Sequence, residues 1–378
     1  MKILISAFLF AVAAAVLPAD AGMREDVRNA IQPYVDSGEL AGAVSMTSVS
    51  GKVEVLRFGY ADPYRKIPFT DDSMFWVASM TKGFAGAAVM TLVDRGLLSL
   101  DDPVEKHIPS MADVRVKERN ADGSFVLRPP KTKMTVRMCL SHVAGYDFRI
   151  DGTGIASSSC MPMATFGKVV QYLPLARDPM VKHQYANVDI DICARIVEIV
   201  SGKRFDEYLK ETFFAPLGMK NACFRMDETQ ISNMVALTCI RQGKKWTKGS
   251  YRMPDYRNGF YNGGGALFAT ANDMMKFYQM LANGGKAPDG RRILSSAAIR
   301  ELSTAQYPHF DRYTLGLRQF GDWFGHDGAI QTEAVANVKE NRVSLLFVQL
   351  SGDWNHPFKD AWRKAVGYSK KAPYGPGK

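Results

Sequence analysis

The 378-residue chain contains no Gly-x-Ser-x-Gly sequence, no His-Glu-x-x-His pair, no phosphate-binding Walker loop and no dinucleotide fingerprint. These absences argue against a strand-turn-helix serine elbow, a metallopeptidase helix and nucleotide chemistry. Cysteine is scarce. The five residues, Cys139, Cys160, Cys193, Cys223 and Cys239, cannot form a disulfide scaffold at this size and show no zinc spacing. Cys193 is expected in the core, and Cys223 with Cys239 is a pair open to oxidation. The six histidines form no ligand pair, so neither a metal nor a cofactor is expected. After Leu17 no apolar run is long enough to span a bilayer, so no membrane span is expected. Formal net charge is +10, but the basic residues are scattered and no nucleic-acid module is visible. That balance is compatible with plain solubility or with attraction to anionic cell-envelope polymers.

What is present begins at the N-terminus. Lys2, an apolar run from Ile3 to Leu17 and the small-residue site Ala19-Asp20-Ala21 have the pattern of a cleavable signal peptide. Residues 1–21 are therefore expected to be removed after Ala21, from a secreted or periplasmic protein.

The most informative stretch is Ser79-Met80-Thr81-Lys82, just after the apolar run Met74 to Ala78. If a helix starts near Ser79, positions i and i+3 share a face and the Lys82 amine can reach the serine oxygen. A serine hydroxyl needs a base before it attacks, and a desolvated lysine near a helix N-terminus can be that base. The alternative is a helix-capping serine followed by a solvated lysine. The following segment, Gly83 to Val93, is small and apolar on almost every side, which predicts a buried helix.

Two further clusters bear on the choice. Tyr185-Ala186-Asn187 precedes a run from Val188 to Val200 with apolar residues at helical spacing, stopped by Ser201-Gly202. Tyr185 would sit just ahead of a helix start, with Asn187 near its cap. A phenol beside a lysine can shuttle a proton, and Asn187 can hold the lysine or a substrate amide. A core tyrosine with an asparagine cap is the plain alternative. His326-Asp327-Gly328 precedes two expected strands, Glu333 to Val338 and Arg342 to Leu350, joined by a turn at Glu340-Asn341. Gly328 would let a substrate backbone approach the strand. The Ala329 and Ser79 amides would then face a developing oxyanion.

In this order, the three clusters resemble the serine β-lactamase and penicillin-binding-protein superfamily. The similarity is to the branch with class C β-lactamases, D,D-carboxypeptidases, D-aminopeptidases and family VIII carboxylesterases. Arg95 to Val104, Thr135 to Gly145, Ala215 to Met219 and Gly263 to Asp273 fit the same branch. The resemblance implies that Ser79 is the acylated nucleophile and Lys82 its activating partner. It also implies that Tyr185 is the general base and acid, and that Asn187, His326, Asp327 and Gly328 contact substrate. At the third cluster, His326 stands in place of a lysine and Asp327 in place of a threonine that helps hold a substrate carboxylate. A cleft-facing Asp327 would repel such a carboxylate. Strand alternation would equally allow it to point away from His326.

The expected architecture is α/β (α+β): one antiparallel sheet flanked by helices and closed by both chain ends, with a mostly helical insertion and the active site in the cleft between them. The sheet domain is expected over 22–99 and 261–368, the insertion over 100–260 and a disordered tail over 369–378. The basic stretch Arg115 to Lys133 reads as a solvated loop. The expected function is a serine hydrolase acting through an acyl-enzyme on a small ester, amide or peptide, with esters or amides lacking a nearby carboxylate in the lead. A penicillin-interactive D,D-carboxypeptidase or β-lactamase is the alternative. A catalytically silent binding scaffold is a third reading.

Overall fold

A computed structural model describes residues 21–148, 161–240, 245–249, 261–352 and 356–369. Cys160 and nearly all of the expected signal peptide and tail lie outside these residues.

Helix α1 (Ala21–Asp36) leads into the hairpin β1 (Gly42–Val49) and β2 (Lys52–Gly59). A short strand β3 (Met74–Trp76) precedes a single 3-10 turn, Ala78–Met80, and helix α2 (Thr81–Asp94). Every residue of α2 from Thr81 to Leu92 is buried, as its uniformly small and apolar sequence predicts. Small residues are required there by close packing. A Cβ on Gly86 would lie 2.0 Å from the Leu315 carbonyl oxygen, and one on Gly83 would lie 2.7 Å from the Leu317 side chain.

The basic stretch expected as a loop is a hairpin, β4 (Val116–Arg119) with β5 (Phe125–Arg128). Asp122-Gly123 makes the turn: Gly123 has φ +86°, and the Asp122 carboxylate accepts from the Ser124 amide at 2.9 Å. Arg128 anchors the hairpin by a fork to Asp178 at 2.7 and 2.9 Å. Charge concealed the strand pattern in this stretch.

Helix α3 (Asn187–Ser201) ends at Gly202, whose φ of +70° is the left-handed stop its sequence announced. Strand β6 (Phe268–Thr270) pairs with β3 and runs into α4 (Ala271–Ala282), capped by the Thr270 hydroxyl. The C-terminal strands are β7 (Arg318–Phe320), β8 (Trp323–Asp327), β9 (Glu333–Asn337) and β10 (Arg342–Phe347), followed by α5 (Pro357–Ala365). The main sheet is six-stranded and antiparallel, in the order β2-β1-β10-β9-β8-β7. Strand β10 stops at Phe347, earlier than expected. Leu350–Ser351 leaves the main sheet and pairs with Thr238–Ile240.

The sheet separates two apolar cores. On one face Val335, Leu346 and Trp323 pack with Val27 and Ile31 of α1 and Trp362 of α5. On the other, Ala334, Ala336, Leu345 and Phe324 pack with α2 and α4. Cys193 is in the core as expected. Cys223 and Cys239 are both free thiols, so they do not form the pair left open above. The Cys223 thiol donates to Gln230 at 3.7 Å, and Cys239 lies 3.3 Å from the Thr247 hydroxyl.

One ion cluster ties α5 to the sheet. Glu333, 1% exposed, bonds Arg363 at 2.6 Å and Lys359 at 3.0 Å. Removing one member would leave buried charge unpaired, so Glu333→Ala should cost about 3–5 kcal/mol in urea denaturation. Arg24→Ala, which breaks the exposed pair to Glu54, should cost no more than about 1 kcal/mol. Equal losses in the two variants would disprove the ranking.

Candidate active site

The site forms where α2 and α3 begin and β8 ends. Ala78, just before Ser79, has φ +47°, a left-handed conformation that a residue with a Cβ adopts at a cost. The 3-10 turn carries Ser79 while α2 itself starts at Thr81, so the serine is ahead of the helix rather than within it. The Thr81 hydroxyl bridges the turn, donating to the Ala78 carbonyl at 2.6 Å and accepting from the Leu267 amide at 3.2 Å. This holds Ser79 partly exposed at the start of a buried helix.

Lys82 is completely buried. Its Nζ lies 3.3 Å from Ser79 Oγ and 2.7 Å from Asn187 Oδ1, and it donates a short bond to the Gly264 carbonyl oxygen. The capping reading with a solvated lysine is thereby excluded. Asn187 is the first residue of α3, with Ala186 in the cap position, and its amide oxygen is turned to Lys82 rather than to the helix. Burial lowers the Lys82 pKa to about 7, against the opposing pull of Asp191. A neutral amine has two hydrogens and one lone pair. With Asn187 and Gly264 each accepting a hydrogen, the lone pair is left for the Ser79 hydroxyl.

Tyr185 packs on the same amine, with Nζ 4.6 Å from the ring centroid. Its ring is 6.2 Å from that of His326 and 4.6 Å from that of His142. Phe148, exposed at the rim, stacks on Tyr185.

His326 is buried and neutral. Its Nδ1 is 2.6 Å from the Asp327 carbonyl, which can only accept, so Nδ1 carries the proton. Nε2 then accepts from the Tyr313 hydroxyl at 2.8 Å. Burial takes the His326 pKa down to about 3, so this position carries no positive charge near pH 7.

Asp327 does not face the cleft with His326. The strand alternates, placing His326 opposite Ala334 on the α2 side and Asp327 opposite Glu333 on the α5 side. The Asp327 carboxylate is 3.9 Å from Lys359 Nζ through one oxygen and 3.9 Å from His326 Nδ1 of its own strand through the other. Gly328 also differs from expectation. A Cβ there would meet the Thr332 hydroxyl at 2.2 Å and the Val77 carbonyl oxygen at 2.6 Å. The close approach it allows is by the protein's own backbone, two residues before Ser79. Ala329 follows in the turn after β8, and its amide donates to no described residue.

Several residues of the site were not singled out from sequence. Tyr313 holds His326. Arg318 packs over the Tyr313 ring at 5.4 Å, and its Nε is buried without a hydrogen-bond partner. Its charge depresses the pKa of Lys82, His142 and His326 alike. Asp189 and Asp191 are wholly buried on α3, the former 3.2 Å from His142. Two aspartates in the first turns of a largely apolar helical run were the available signal. Among the described residues no cluster of His, Cys, Asp and Glu could hold a metal ion.

The beta-lactamase profile matches residues 27–367, nearly the whole described chain. The chain belongs to the beta-lactamase family. Penicillin-binding protein 4 of Amycolatopsis lactamdurans is 28% identical over 347 residues, 86% of this chain and 85% of that one. The fold matches EstCE1, a hydrolase with promiscuous acyltransferase activity, with TM-score 0.75 at 17% identity, covering 91% of this chain and 98% of that one. It also matches the D-amino acid amidase of Ochrobactrum anthropi SV3, with TM-score 0.69 at 22% identity, over 91% and 98% of the two chains.

The amine can take the serine proton only when it is itself unprotonated. The rate at which a fluorophosphonate modifies Ser79 should therefore rise with pH and level off above about 7. Lys82→Arg, which cannot deprotonate, should lose at least about three orders of magnitude of that rate. A flat profile, or near-normal labelling of the arginine variant, would reduce the amine to a mere positive charge.

Proposed function

We propose that the protein is a serine hydrolase that forms an acyl-enzyme at Ser79 and acts on small carboxylic esters or amides. The observation that carries this reading is the Lys82 amine, stripped of solvent, held by Asn187 and Gly264 and lying 3.3 Å from Ser79 Oγ. Lys82, with Tyr185 against it, accepts the serine proton as Oγ attacks the carbonyl carbon. The Ser79 and Ala329 amides receive the developing oxyanion. When the C–O or C–N bond breaks, the proton passes to the leaving alcohol or amine. Water then attacks the acyl-enzyme by the same proton route, releasing the acid and restoring Ser79.

A second reading, a D,D-carboxypeptidase or β-lactamase acting on substrates that carry a carboxylate, is favoured by Arg318. A cleft-facing Asp327 would disfavour such substrates, but Lys359 offsets that carboxylate on the far face of the sheet. Arg318 keeps a positive charge beside the site with no carboxylate within ion-pair distance among the described residues. The Amycolatopsis relative, a penicillin-binding protein, fits the same reading. The protein would act after export, which the N-terminal sequence Lys2 to Ala21 supports; N-terminal sequencing of the mature protein should begin at Gly22.

Mass spectrometry separates these readings. A fluorophosphonate adduct on the Ser79 peptide without a penicillin adduct supports the ester or amide hydrolase. Both adducts support the second reading, and neither supports a silent scaffold. Ser79→Ala should remove both adducts and at least about three orders of magnitude of turnover with the fold intact. An adduct on Ser141 would overturn the assignment. A cleft-facing Asp327 would make Asp327→Thr raise kcat/KM on penicillins by roughly tenfold; with the carboxylate turned away, the substitution should change it by less than about threefold.

A further inference from the structure

Lys82 and Asp191 grip the same residue from opposite sides. The Gly264 amide donates to Asp191 Oδ1 at 2.8 Å, and the Gly264 carbonyl accepts from Lys82 Nζ. Gly264 has little freedom to shift. A Cβ there would lie 3.0 Å from Asn187 Cβ and 3.1 Å from Asp191 Oδ1. The neighbouring peptides are fixed as well. Asn262 accepts from the Gly265 amide at 2.9 Å, and the Gly265 carbonyl accepts from the Trp76 indole at 2.6 Å. Asp191 itself is fully buried, four residues along α3 from Asn187, so the two project from the same face of that helix. One helical turn thus determines both acceptors of the lysine: Asn187 directly, and Gly264 through Asp191.

We propose that Asp191 is a positioning residue for the Lys82 base, fixing the Gly264 carbonyl that turns the amine lone pair to Ser79 and supplying a buried negative charge that tunes its protonation. The proposal rests on the hydrolase reading above. The two roles are separable, because the hydrogen bond needs an acceptor oxygen in place and the tuning needs a charge. A carboxylate near an amine favours the ammonium form, so Asp191 holds the Lys82 pKa above the value that burial alone would set. The other titratable or charged groups around the amine are Asp189 on the same helix, Arg318 of β7, and the rings of Tyr185, His142 and His326. Burial raises the Asp189 pKa well above the usual carboxylate range and keeps both histidines neutral near pH 7. Arg318 acts in the opposite sense to Asp191.

The test is the pH dependence of fluorophosphonate labelling at Ser79 in the full chain. Asp191→Asn keeps an acceptor oxygen and removes the charge. Its acid limb should move down by roughly one pH unit, with a plateau within about threefold of the wild type. Asp191→Glu keeps the charge and displaces the acceptor. Its limb should stay in place while the plateau falls about tenfold or more. A structural residue with no link to Lys82 would leave both limbs in place. Glu198→Gln, which alters another buried acid of α3 bound to the Phe205 amide, is the control and should shift neither. If Asp191→Asn fails to fold, a wild-type plateau in Asp191→Glu still overturns the positioning role. An unmoved limb in a folded Asp191→Asn overturns the tuning role. Wild-type protein that takes no label at Ser79 at any pH would defeat the hydrolase reading and this proposal with it, whereas a labelled wild type with unmoved variants defeats only the proposal.

Discussion

A lysine amine with no access to water is the constraint around which this site is built. A buried ammonium is costly, and hydrogen bonds to neutral oxygens offset only part of the penalty. The fold answers by bringing the amine close to neutrality while satisfying its hydrogens with Asn187 and Gly264. Each partner requires its own support. Asn187 needs α3 to begin where it does, and Gly264 needs a side-chain-free position wedged against that helix. The 3-10 turn at Ala78–Met80 must then deliver Ser79 to the remaining direction. The proposed reactivity thus grows out of a stability problem, because the arrangement that makes the buried amine tolerable also leaves it close to neutral.

The charges around the amine are sorted by the two faces of the sheet. On the α5 face, Asp327, Glu333, Lys359 and Arg363 offset one another. On the face toward α2, the groups are rings and hydroxyls, with His326 held neutral by Tyr313 and the Asp327 carbonyl. Arg318, at the sheet edge, has no carboxylate within ion-pair distance among the described residues, and the carboxylates of Asp327 and Asp311 act on its charge only from further away. A substrate entering the cleft therefore meets an environment whose polarity depends on one arginine and on the protonation state of one lysine.

Much of this was legible in the sequence, for reasons that differ by residue. Ser79 and Lys82 are close in the chain, so their contact could be expected from the i, i+3 spacing, although Ser79 lies in the 3-10 turn ahead of α2. The left-handed stop at Gly202 and the burial of α2 were likewise local. Tyr185, Asn187 and His326 are far from Ser79 in sequence, and only resemblance to a known family brought them together. Asp327 shows the limit of carrying over a position: its place in the motif implied a cleft-facing side chain, while the pleat of β8 and the pull of Lys359 took it to the other face. Gly328 shows a related limit, since the sequence gives the need for a glycine but not which backbone approaches it. The β4–β5 hairpin was hidden because β4 is mostly charged and the apolar residues of β5, Phe125 to Leu127, are consecutive and exposed rather than alternating. Arg318 and Asp191 had no recognisable motif, and their importance appears only when their neighbours are known.

The pairing of β1 with β10 has a consequence for how the molecule is made. Val44 lies opposite Phe347 and Val49 opposite Arg342, so the centre of the sheet joins residues about 300 positions apart in the chain. Such contacts require closure of a very long loop, and they form slowly. Until the last sixth of the polypeptide is available, β1 and β2 have no partner on their inner side, and α1 has no α5 to pack against. The growing chain must therefore carry an exposed hairpin edge through most of its synthesis, so maturation is governed by the arrival of the C-terminal strands rather than by the segments around Ser79 and Asn187.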